Sequence, residues 1–272
     1  LGVPSSTVEV VHGDSARSPF GLGTYGSRSA AVGGAALAKA VGKVIDKGKL
    51  ITSYLLEASV EDVEFKDGDF TIKGTDKKMS FGEIAGAAYT PPEGYPLDIL
   101  EPGLEETAFF DPVNFTYPGG CHVAEVEIDP ETGTLELVAY TAVDDVGTVL
   151  NPMIVEGQVH GGVVQGLGQA FGEHCIYDED GQLVTGSFMD YCMPRADDLC
   201  NITVATESTV CRSNPIGVKG CGEVGTIASP ATLMNAVVDA LSPFGISHMD
   251  MPASPKRVWQ TIQAAATRQA AE

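Results

Sequence analysis

A glycine-rich loop near the carboxyl end of the chain presents a single carboxylate. The loop has the sequence Gly217-Val-Lys-Gly-Cys-Gly-Glu-Val-Gly225, with glycines at the spacing G-x-x-G-x-G-x-x-G around Glu223. Because glycine has no Cβ and reaches positive φ, such a loop lets its backbone approach another molecule closely. We expect the glycine backbone to enclose and partly desolvate the carboxylate, which would suit Glu223 to act as a general base. The alternative is an ordinary solvated acid in a loop.

The same loop contains Gly220-Cys-Gly-Glu-Val-Gly225, the G-x-G-x-x-G pattern of dinucleotide-binding proteins, and Asp239 lies where a ribose-binding acid could be. Its context argues against that alternative, because the pattern needs a buried strand directly before it and a helix that opens within it. Here a proline-containing stretch precedes the loop, and Ser229-Pro230 predicts a later helix start, with a helix over Ala231–Leu241. The chain ends at residue 272, only 47 residues after Gly225, which is short for the second half of such a domain.

A second glycine loop, Gly23-Thr-Tyr-Gly-Ser-Arg-Ser29, precedes a predicted helix over Ala30–Ile45. A helix N-terminus attracts anions through its free N–H groups and its dipole, so this position suits a phosphate. An ordinary serine-capped helix is the alternative.

A glycine-rich helix is predicted over Met153–Phe171, with Asn151 as N-cap and Pro152 in the first position. Each interior glycine costs roughly 0.5–1 kcal/mol against alanine, so several of them need a packing reason. We expect the face around its glycines to be an exposed apolar contact surface, and His160 to be a partly buried, hydrogen-bonded histidine rather than a catalytic one. The glycines are Gly157, Gly161, Gly162, Gly166 and Gly168.

The remaining patterns predict an α+β fold with mixed or antiparallel sheets packed against helices. Alternating apolar residues on either side of a turn predict an antiparallel pair over His122–Ile128 and Thr134–Val143. The other predicted elements are strands over Val8–Val11, Leu183–Tyr191 and Ile202–Ser208, a hairpin over Val63–Ile72 turning at Asp67-Gly68, a helical hairpin involving Ile51–Leu56, helices over Phe81–Tyr89 and Lys256–Thr267, and an irregular segment over Thr90–Pro118.

Composition limits the kinds of partner. The 272 residues, 43% of them hydrophobic, can bury the core of one large or two small domains, with candidate sub-modules 1–118 and 119–272. Sixteen basic against 37 acidic residues give a net charge of −21, which argues against nucleic acid or an anionic membrane as partner. No apolar run approaches the ~20 residues of a membrane span. Six cysteines without a C-x-x-C spacing disfavour a zinc or iron–sulfur site in this chain and suggest reduced thiols in a cytoplasmic protein.

Four motifs together resemble the C-terminal part of the molybdenum-cofactor-binding large subunit of the xanthine oxidase family, the molybdenum hydroxylases. That family includes xanthine and aldehyde oxidoreductases and aerobic carbon monoxide dehydrogenase, and the resemblance covers essentially the whole chain. The motifs are Gly23-Thr-Tyr-Gly-Ser-Arg-Ser29, Asp145-Val-Gly-Thr-Val-Leu-Asn-Pro152, Gly157-Gln-Val-His-Gly-Gly162 with Gln165-Gly-Leu-Gly168, and Gly217-Val-Lys-Gly-Cys-Gly-Glu223 with Asn235-Ala-Val237.

The resemblance implies a role for each matching residue. Glu223 matches the glutamate that acts as general base when water-derived oxygen is transferred to an aldehyde, an N-heterocycle, a purine or carbon monoxide. Gln158 matches a glutamine that hydrogen-bonds the pterin of the molybdenum cofactor, in its molybdopterin or cytosine dinucleotide form. The pterin dithiolene holds the metal, so no protein ligand is expected. The loop that holds the pterin and its phosphate end is matched by Thr24, Gly26, Ser27, Arg28 and Ser29.

The resemblance also implies partners. In the family, the substrate-facing loops lie in an N-terminal half or a companion molybdenum subunit, and iron–sulfur clusters and FAD belong to partner subunits or domains. The start Leu1-Gly-Val-Pro suggests the interior of a longer chain, so we expect a split subunit, a truncated product or an excised fragment, with little activity alone. The alternative is a non-catalytic interaction module.

Overall fold

The computed structural model describes residues 1–18, 20–93 and 95–269. Within them the chain forms two compact units that interleave along the sequence. Unit 1 comprises Leu1–Tyr25, Val32–Val113 and Asn214–Ile216, and unit 2 comprises Gly26–Ala31, Asn114–Ser213 and Gly217–Glu272. Helices combined with one antiparallel and one mixed sheet confirm the predicted α+β class. The division into 1–118 and 119–272 stays a prediction.

The first long helix is longer than the sequence predicted. It opens with a π-helical stretch, Ala30–Gly34, and continues as α1, Ala35–Leu55. The predicted helical hairpin at Ile51–Leu56 is therefore wrong. Ile51 and Thr52 are fully buried, so tertiary packing holds the last turns in the same helix.

Unit 1 also contains a small antiparallel sheet and a short helix. The hairpin is confirmed as β1, Val63–Lys66, and β2, Asp69–Ile72. Its turn has two successive left-handed residues, Asp67 at φ 50° and Gly68 at φ 91°, as a tight hairpin requires. Strand β3, Lys78–Ser80, completes the sheet. Helix α2 is confirmed at Phe81–Tyr89, where Ser80 and Glu83 form a reciprocal capping box.

The irregular segment after α2 is fastened to α1, although its Gly94 lies outside the described residues. Lys39 and Lys43, one turn apart on α1, donate to the carbonyls of Phe109 at 3.3 Å and Thr107 at 2.7 Å. The apolar core of unit 1 lies between α1, α2 and the sheet. It consists of Ile51, Val63, Phe70, Ile72, Ile84, Ala88, Tyr95 and Leu100.

Unit 2 is built on a three-stranded mixed sheet in the order β4-β5-β6. The predicted antiparallel pair is confirmed as β4, Gly119–Ile128, and β5, Leu135–Asp145, with an irregularity in register between Glu125 and Val126. Strand β6, Ile202–Thr206, lies parallel to β5. It confirms the predicted strand over Ile202–Ser208.

Three helices pack with this sheet: α3, Pro152–Phe171, α4, Val224–Leu241, and α5, Pro255–Gln269. The predicted helices at the positions of α3 and α5 are confirmed, and Asn151 caps α3 by accepting from the N–H of Ile154. Helices α3 and α4 run in the same direction, because residues further along α3 contact residues further along α4. Gly162 lies against Gly225, and Gly166 lies against Ser229. The central core of unit 2 contains Leu137, Tyr140, Ala142, Val146, Val155, Val159, Val163, Leu167, Ala170, Val224 and Leu233.

Helix α4 begins earlier than predicted. It starts at Val224, directly after Glu223, and Pro230 lies inside it. Ser229 does not cap the helix; its hydroxyl donates to the carbonyl of Val163 on α3 at 2.9 Å. The Ser-Pro pair is therefore part of a helix contact, and one of the objections to a dinucleotide-binding loop, the late helix start, is wrong.

Two predicted strands are absent from their positions. Val8–Val11 has no strand partner, and Val8 and Val10 are 53% and 79% exposed. Leu183–Tyr191 forms only an isolated bridge between Leu183 and Tyr177. Apolar spacing of period two stabilises a strand only when one face is buried, which neither segment achieves.

One helical stretch, Val224–Phe244, is long and apolar enough to cross a membrane, which corrects the expectation that no such run exists. Its residues Leu233, Val237 and Leu241 are fully buried within unit 2. A core helix of a soluble protein passes the same test, so this stretch is weak evidence for a membrane span.

Two glycines of α1 should respond to alanine in opposite directions. A Cβ on Gly48 would overlap the ring of Phe70, whereas a Cβ on Gly42 would meet no atom of the described chain within 4 Å. We expect Gly48→Ala to destabilise the protein by about 1–3 kcal/mol through overpacking. Gly42→Ala should stabilise it by roughly 0.5–1 kcal/mol, because alanine favours a helix. Urea unfolding measures both changes, and equal signs would contradict the packing of Phe70 on α1.

Candidate active site

Glu223 occupies the N-cap position of α4, at the end of the glycine loop. Its carboxylate is exposed, so the predicted desolvation by glycine backbone is wrong for this chain. One carboxylate oxygen, Oε2, accepts a hydrogen bond from the hydroxyl of Ser27 at 2.6 Å.

The backbone at Ser27 is left-handed, with φ 52°, directly after Gly26 at φ 58°. Left-handed residues other than glycine are uncommon, because Cβ crowds the following carbonyl oxygen. This turn brings a side chain 196 positions earlier in the sequence to the carboxylate of Glu223.

The glycines of the loop make room for this neighbour. A Cβ on Gly220 would lie 2.8 Å from the Cβ and 2.9 Å from the carbonyl oxygen of Ser27. A Cβ on Gly222 would lie 3.2 Å from the hydroxyl of Ser27 and 3.5 Å from Oε1 of Gln158. The close approach that the glycine spacing predicted is therefore made in part by the chain itself.

Gln158 lies on α3 beside Gly222, and its side chain is exposed. Its carboxamide has no hydrogen-bond partner among the residues that the structure describes. Gln158 lies in the second turn of α3, near the first residues of α4, so the N-terminus of α4 is the helix end that favours negative charge there. Three predicted site residues, Ser27, Gln158 and Glu223, thus come together.

The other residues predicted to hold a cofactor lie in the segment before α1. Thr24 is exposed and belongs to unit 1, whereas Gly26, Arg28 and Ser29 belong to unit 2. Arg28 is half-buried and Ser29 is exposed, just before the π-helical stretch. Their contacts with a cofactor stay predictions.

An ion pair that sequence reasoning did not assign fastens the glycine loop to the sheet. Nζ of Lys219 donates to Oδ2 of Asp145 at 2.6 Å and to the hydroxyl of Thr209 at 2.9 Å. Asp145 also accepts from the N–H groups of Gly147 at 2.9 Å and Thr209 at 3.0 Å, and from the Thr209 hydroxyl. The signal available in the sequence was that Asp145 follows the predicted strand Thr134–Val143 and that Lys219 belongs to the glycine loop.

These contacts change the acidity of Asp145. Burial favours its neutral form, but the hydrogen bonds from Lys219 and Thr209 outweigh burial and hold the pKa of Asp145 well below its usual range. The side chains of Lys219 and Asp145 are 12% and 20% exposed, so the pair is largely withdrawn from water. Backbone bonds beside it, from Lys219 N to Val146 O at 2.8 Å and from Thr148 N to Gly217 O at 2.9 Å, complete the attachment.

The sequence also did not predict a buried polar cluster on β4 and β5, formed by His122, Tyr140 and Asp144. His122 contacts the hydroxyl of Tyr140 at 2.8 Å through Nδ1 and both oxygens of Asp144 at 3.2 Å through Nε2. The side chains of His122 and Asp144 are 0% and 3% exposed. Burial raises the pKa of Tyr140, and its neighbours Ser229 and Thr232 on α4 partly offset this. A Cβ on Gly120 would overlap Asp144, so the glycine at the start of β4 makes this cluster possible.

The glycine face of α3 is partly buried. Gly157 and Gly161 are exposed, as predicted, but Gly166 is buried, since a Cβ there would lie 2.6 Å from the Cβ of Ser229. The prediction for His160 is confirmed: the ring is half-buried, and its Nε2 lies 3.1 Å from the carbonyl oxygen of Ile202.

Comparison with known proteins identifies the family. The profile described as the molybdopterin cofactor-binding domain matches residues 1–200. This chain belongs to the molybdopterin cofactor-binding domain family. The resemblance inferred from the four motifs is thereby confirmed.

Relatives of this molybdopterin-binding chain are similar over almost all of its length. It is 41% identical over 265 residues to the carbon monoxide dehydrogenase large chain of Hydrogenophaga pseudoflava, covering 97% of this chain and 32% of the relative. It is 38% identical to the nicotine 6-hydroxylase large subunit of Paenarthrobacter nicotinovorans, with 95% and 32% covered. The crystal structure of a Cu,Mo-CO dehydrogenase matches with a TM-score of 0.92 at 37% identity, covering 98% of this chain and 33% of that one. The chain thus spans about a third of the length of these relatives.

Removal of the Lys219 charge should destabilise this molybdopterin-binding chain. Lys219→Met leaves Asp145 without its cationic partner in a largely buried position, and we expect a loss of about 3 kcal/mol in the free energy of unfolding. Lys78→Met is a matched control, because Lys78 pairs with Asp69 at a similar 2.7 Å but is exposed. Exposed pairs contribute little, so the control should lose far less. Equal losses in denaturant unfolding would contradict the structural role of Lys219.

The same ion pair predicts a pH dependence. Because the folded-state pKa of Asp145 is depressed, its contribution to stability is fully present above the unfolded-state value of about 4 and is lost as pH falls toward the folded value. The difference in unfolding free energy between the wild type and Asp145→Asn should therefore shrink as pH falls below about 5. Denaturant unfolding at a series of pH values measures it; a difference that grows toward acid would contradict the assignment.

Proposed function

We propose that this chain forms part of a molybdenum hydroxylase in which Glu223 is the general base. The observation that carries the proposal is the placement of Glu223 at the start of α4, with one oxygen held by Ser27 and the exposed carboxamide of Gln158 nearby. The family membership and the two relatives named above support the reaction class.

The residues present fit the molybdenum–pterin cofactor. An exposed carboxamide offers both a donor and an acceptor for a pterin edge. The N-terminus of α4 favours the negative charge of a phosphate or dithiolene near Gln158. Gln158 would bind the pterin, and the segment Thr24–Ser29 would bind the pterin and its phosphate end. When bound, the group would accept the two electrons released as the substrate is oxidised.

The chain itself supplies proton transfer and orientation. Oε2 of Glu223 is committed to the Ser27 hydroxyl, so Oε1 is the atom that takes the proton as water-derived oxygen is transferred. A general base must lie within hydrogen-bond distance of the proton that it takes. The N-cap position attaches Glu223 to the end of a helix, which restricts where its carboxylate can lie. The substrate is a small molecule of the aldehyde, N-heterocycle, purine or carbon monoxide kind.

Activity requires the rest of the enzyme. Because the chain corresponds to about a third of its relatives, we propose that the remaining part of the large chain, together with iron–sulfur and flavin partners, completes a cytoplasmic complex. A non-catalytic interaction module is the second candidate, and the exposed position of Glu223 is the observation that favours it.

Glu223→Gln tests the proposed base. The complex should be reconstituted from this chain and the remaining part of the large chain, and molybdenum should be measured per complex. We expect turnover to fall by about 10²–10⁴-fold at unchanged molybdenum content, because the amide cannot accept the proton. Glu131→Gln, a change at an exposed turn acid, should retain full turnover. A complex that never retains molybdenum, or a Glu223→Gln complex as active as the wild type, would favour the interaction module.

A further inference from the structure

Ser27 occupies a backbone conformation that glycine adopts more readily. At φ 52°, its Cβ crowds the following carbonyl oxygen, and the preceding Gly26 shares the left-handed conformation. Residues held in such conformations cluster at functional sites and persist where the surrounding structure fixes them. The conformation therefore directs attention to what the side chain of Ser27 contacts.

The side chain of Ser27 contacts Glu223. Its hydroxyl donates to Oε2 of Glu223 at 2.6 Å, a short hydrogen bond to a carboxylate oxygen. Oε1 of the same carboxylate makes no hydrogen bond within the described part of the chain. The bond therefore distinguishes the two oxygens and leaves one of them available.

The loop is shaped around this hydroxyl. Cβ atoms on Gly220 and Gly222 would crowd the Cβ and the hydroxyl of Ser27, so the glycines that flank Cys221 leave space for Ser27. Gly220 is further held by its N–H, which donates to the hydroxyl of Thr116 at 3.3 Å. Backbone conformation therefore fixes both partners of this hydrogen bond: the left-handed turn positions Ser27, and the glycine loop positions Glu223.

We propose that Ser27 is a positioning residue for Glu223: its hydroxyl holds Oε2 and thereby orients Oε1 toward the reacting atoms. The inference rests on the proposed function of Glu223 as general base. It also changes the role predicted for Ser27, because its hydroxyl proton is used by Glu223, and the hydroxyl oxygen as acceptor and the backbone remain for a cofactor.

Two substitutions separate positioning from stability. Ser27→Ala removes the hydroxyl and keeps the left-handed strain, whereas Ser27→Gly removes both. We expect Ser27→Gly to melt at or above the wild-type temperature and Ser27→Ala at or below it. Both should lose the orientation of Glu223. Ser187→Ala is the matched control, since Ser187 donates to the carboxylate of Asp190 at the same 2.6 Å within unit 2.

The first readout is spectroscopic and needs no cofactor. In the chain labelled with ¹³C at its glutamate carboxyls, the resonance lost in Glu223→Gln identifies Glu223. We expect this resonance to shift in both Ser27 variants and to stay unchanged in Ser187→Ala. An unchanged resonance in Ser27→Gly would overturn the proposal.

The second readout is turnover of the reconstituted complex. Misplacement of a catalytic group costs up to about 10²-fold, so Ser27→Gly should lower kcat by about 10- to 100-fold with KM and molybdenum content unchanged. If Glu223→Gln is inactive and Ser27→Gly is fully active, the positioning role is wrong and the base remains. If Glu223→Gln is active, the proposed function itself fails, and Ser27 has no base to position.

Discussion

The contact between the backbones of two parallel helices determines where the candidate base lies. A Cβ on Gly225 would lie 2.5 Å from the carbonyl oxygen of Val159, and a Cβ on Gly162 would lie 2.8 Å from the N–H nitrogen of Thr226. Each of these glycines lowers helix stability by roughly 0.5–1 kcal/mol, which close packing of α3 on α4 must offset. With α4 held at this distance, its N-cap residue can only lie beside the second turn of α3, which is where Gln158 is found.

The end of strand β5 also helps to fix the positions of α4 and the glycine loop. Successive side chains of a strand point to opposite faces, so Asp144 and Asp145 point in different directions. Asp144 points inward to His122 and connects through Tyr140 to the neighbourhood of α4. Asp145 reaches the glycine loop through Lys219. One pair of adjacent acids therefore connects the sheet both to the helix that begins at Glu223 and to the loop that leads into it.

Sequence patterns correctly predicted the elements that are determined by interactions between residues close in sequence. Asp67-Gly68 determines a hairpin by backbone conformation alone, and Ser80 with Glu83 caps α2 within one turn. The pair Ser229-Pro230 has the same local pattern as a cap but lies inside α4, because the serine hydroxyl bonds the carbonyl of Val163 on another helix. No local pattern distinguishes these two uses of a serine before a proline.

The candidate site shows the same limit. Ser27, Gln158 and Glu223 were each selected from the sequence, but on motifs that belong to three different parts of the chain. Their meeting depends on contacts such as Ser27 with Glu223, which join residues 196 positions apart. The buried cluster around His122 gave no signal, since a histidine in an alternating strand resembles any other inward-facing residue.

The exposure of Glu223 defines what this chain contributes to a reaction and what must come from elsewhere. Glycine backbone and the Ser27 hydroxyl orient the carboxylate, but they do not remove it from water. A general base works best where water is excluded, because its interactions strengthen in a low-dielectric site. If Glu223 is the base, the group that covers it is the bound cofactor or the remaining part of the large chain. Under the proposed function, placement and desolvation, which many enzymes obtain from one pocket, would come from different parts of an assembly.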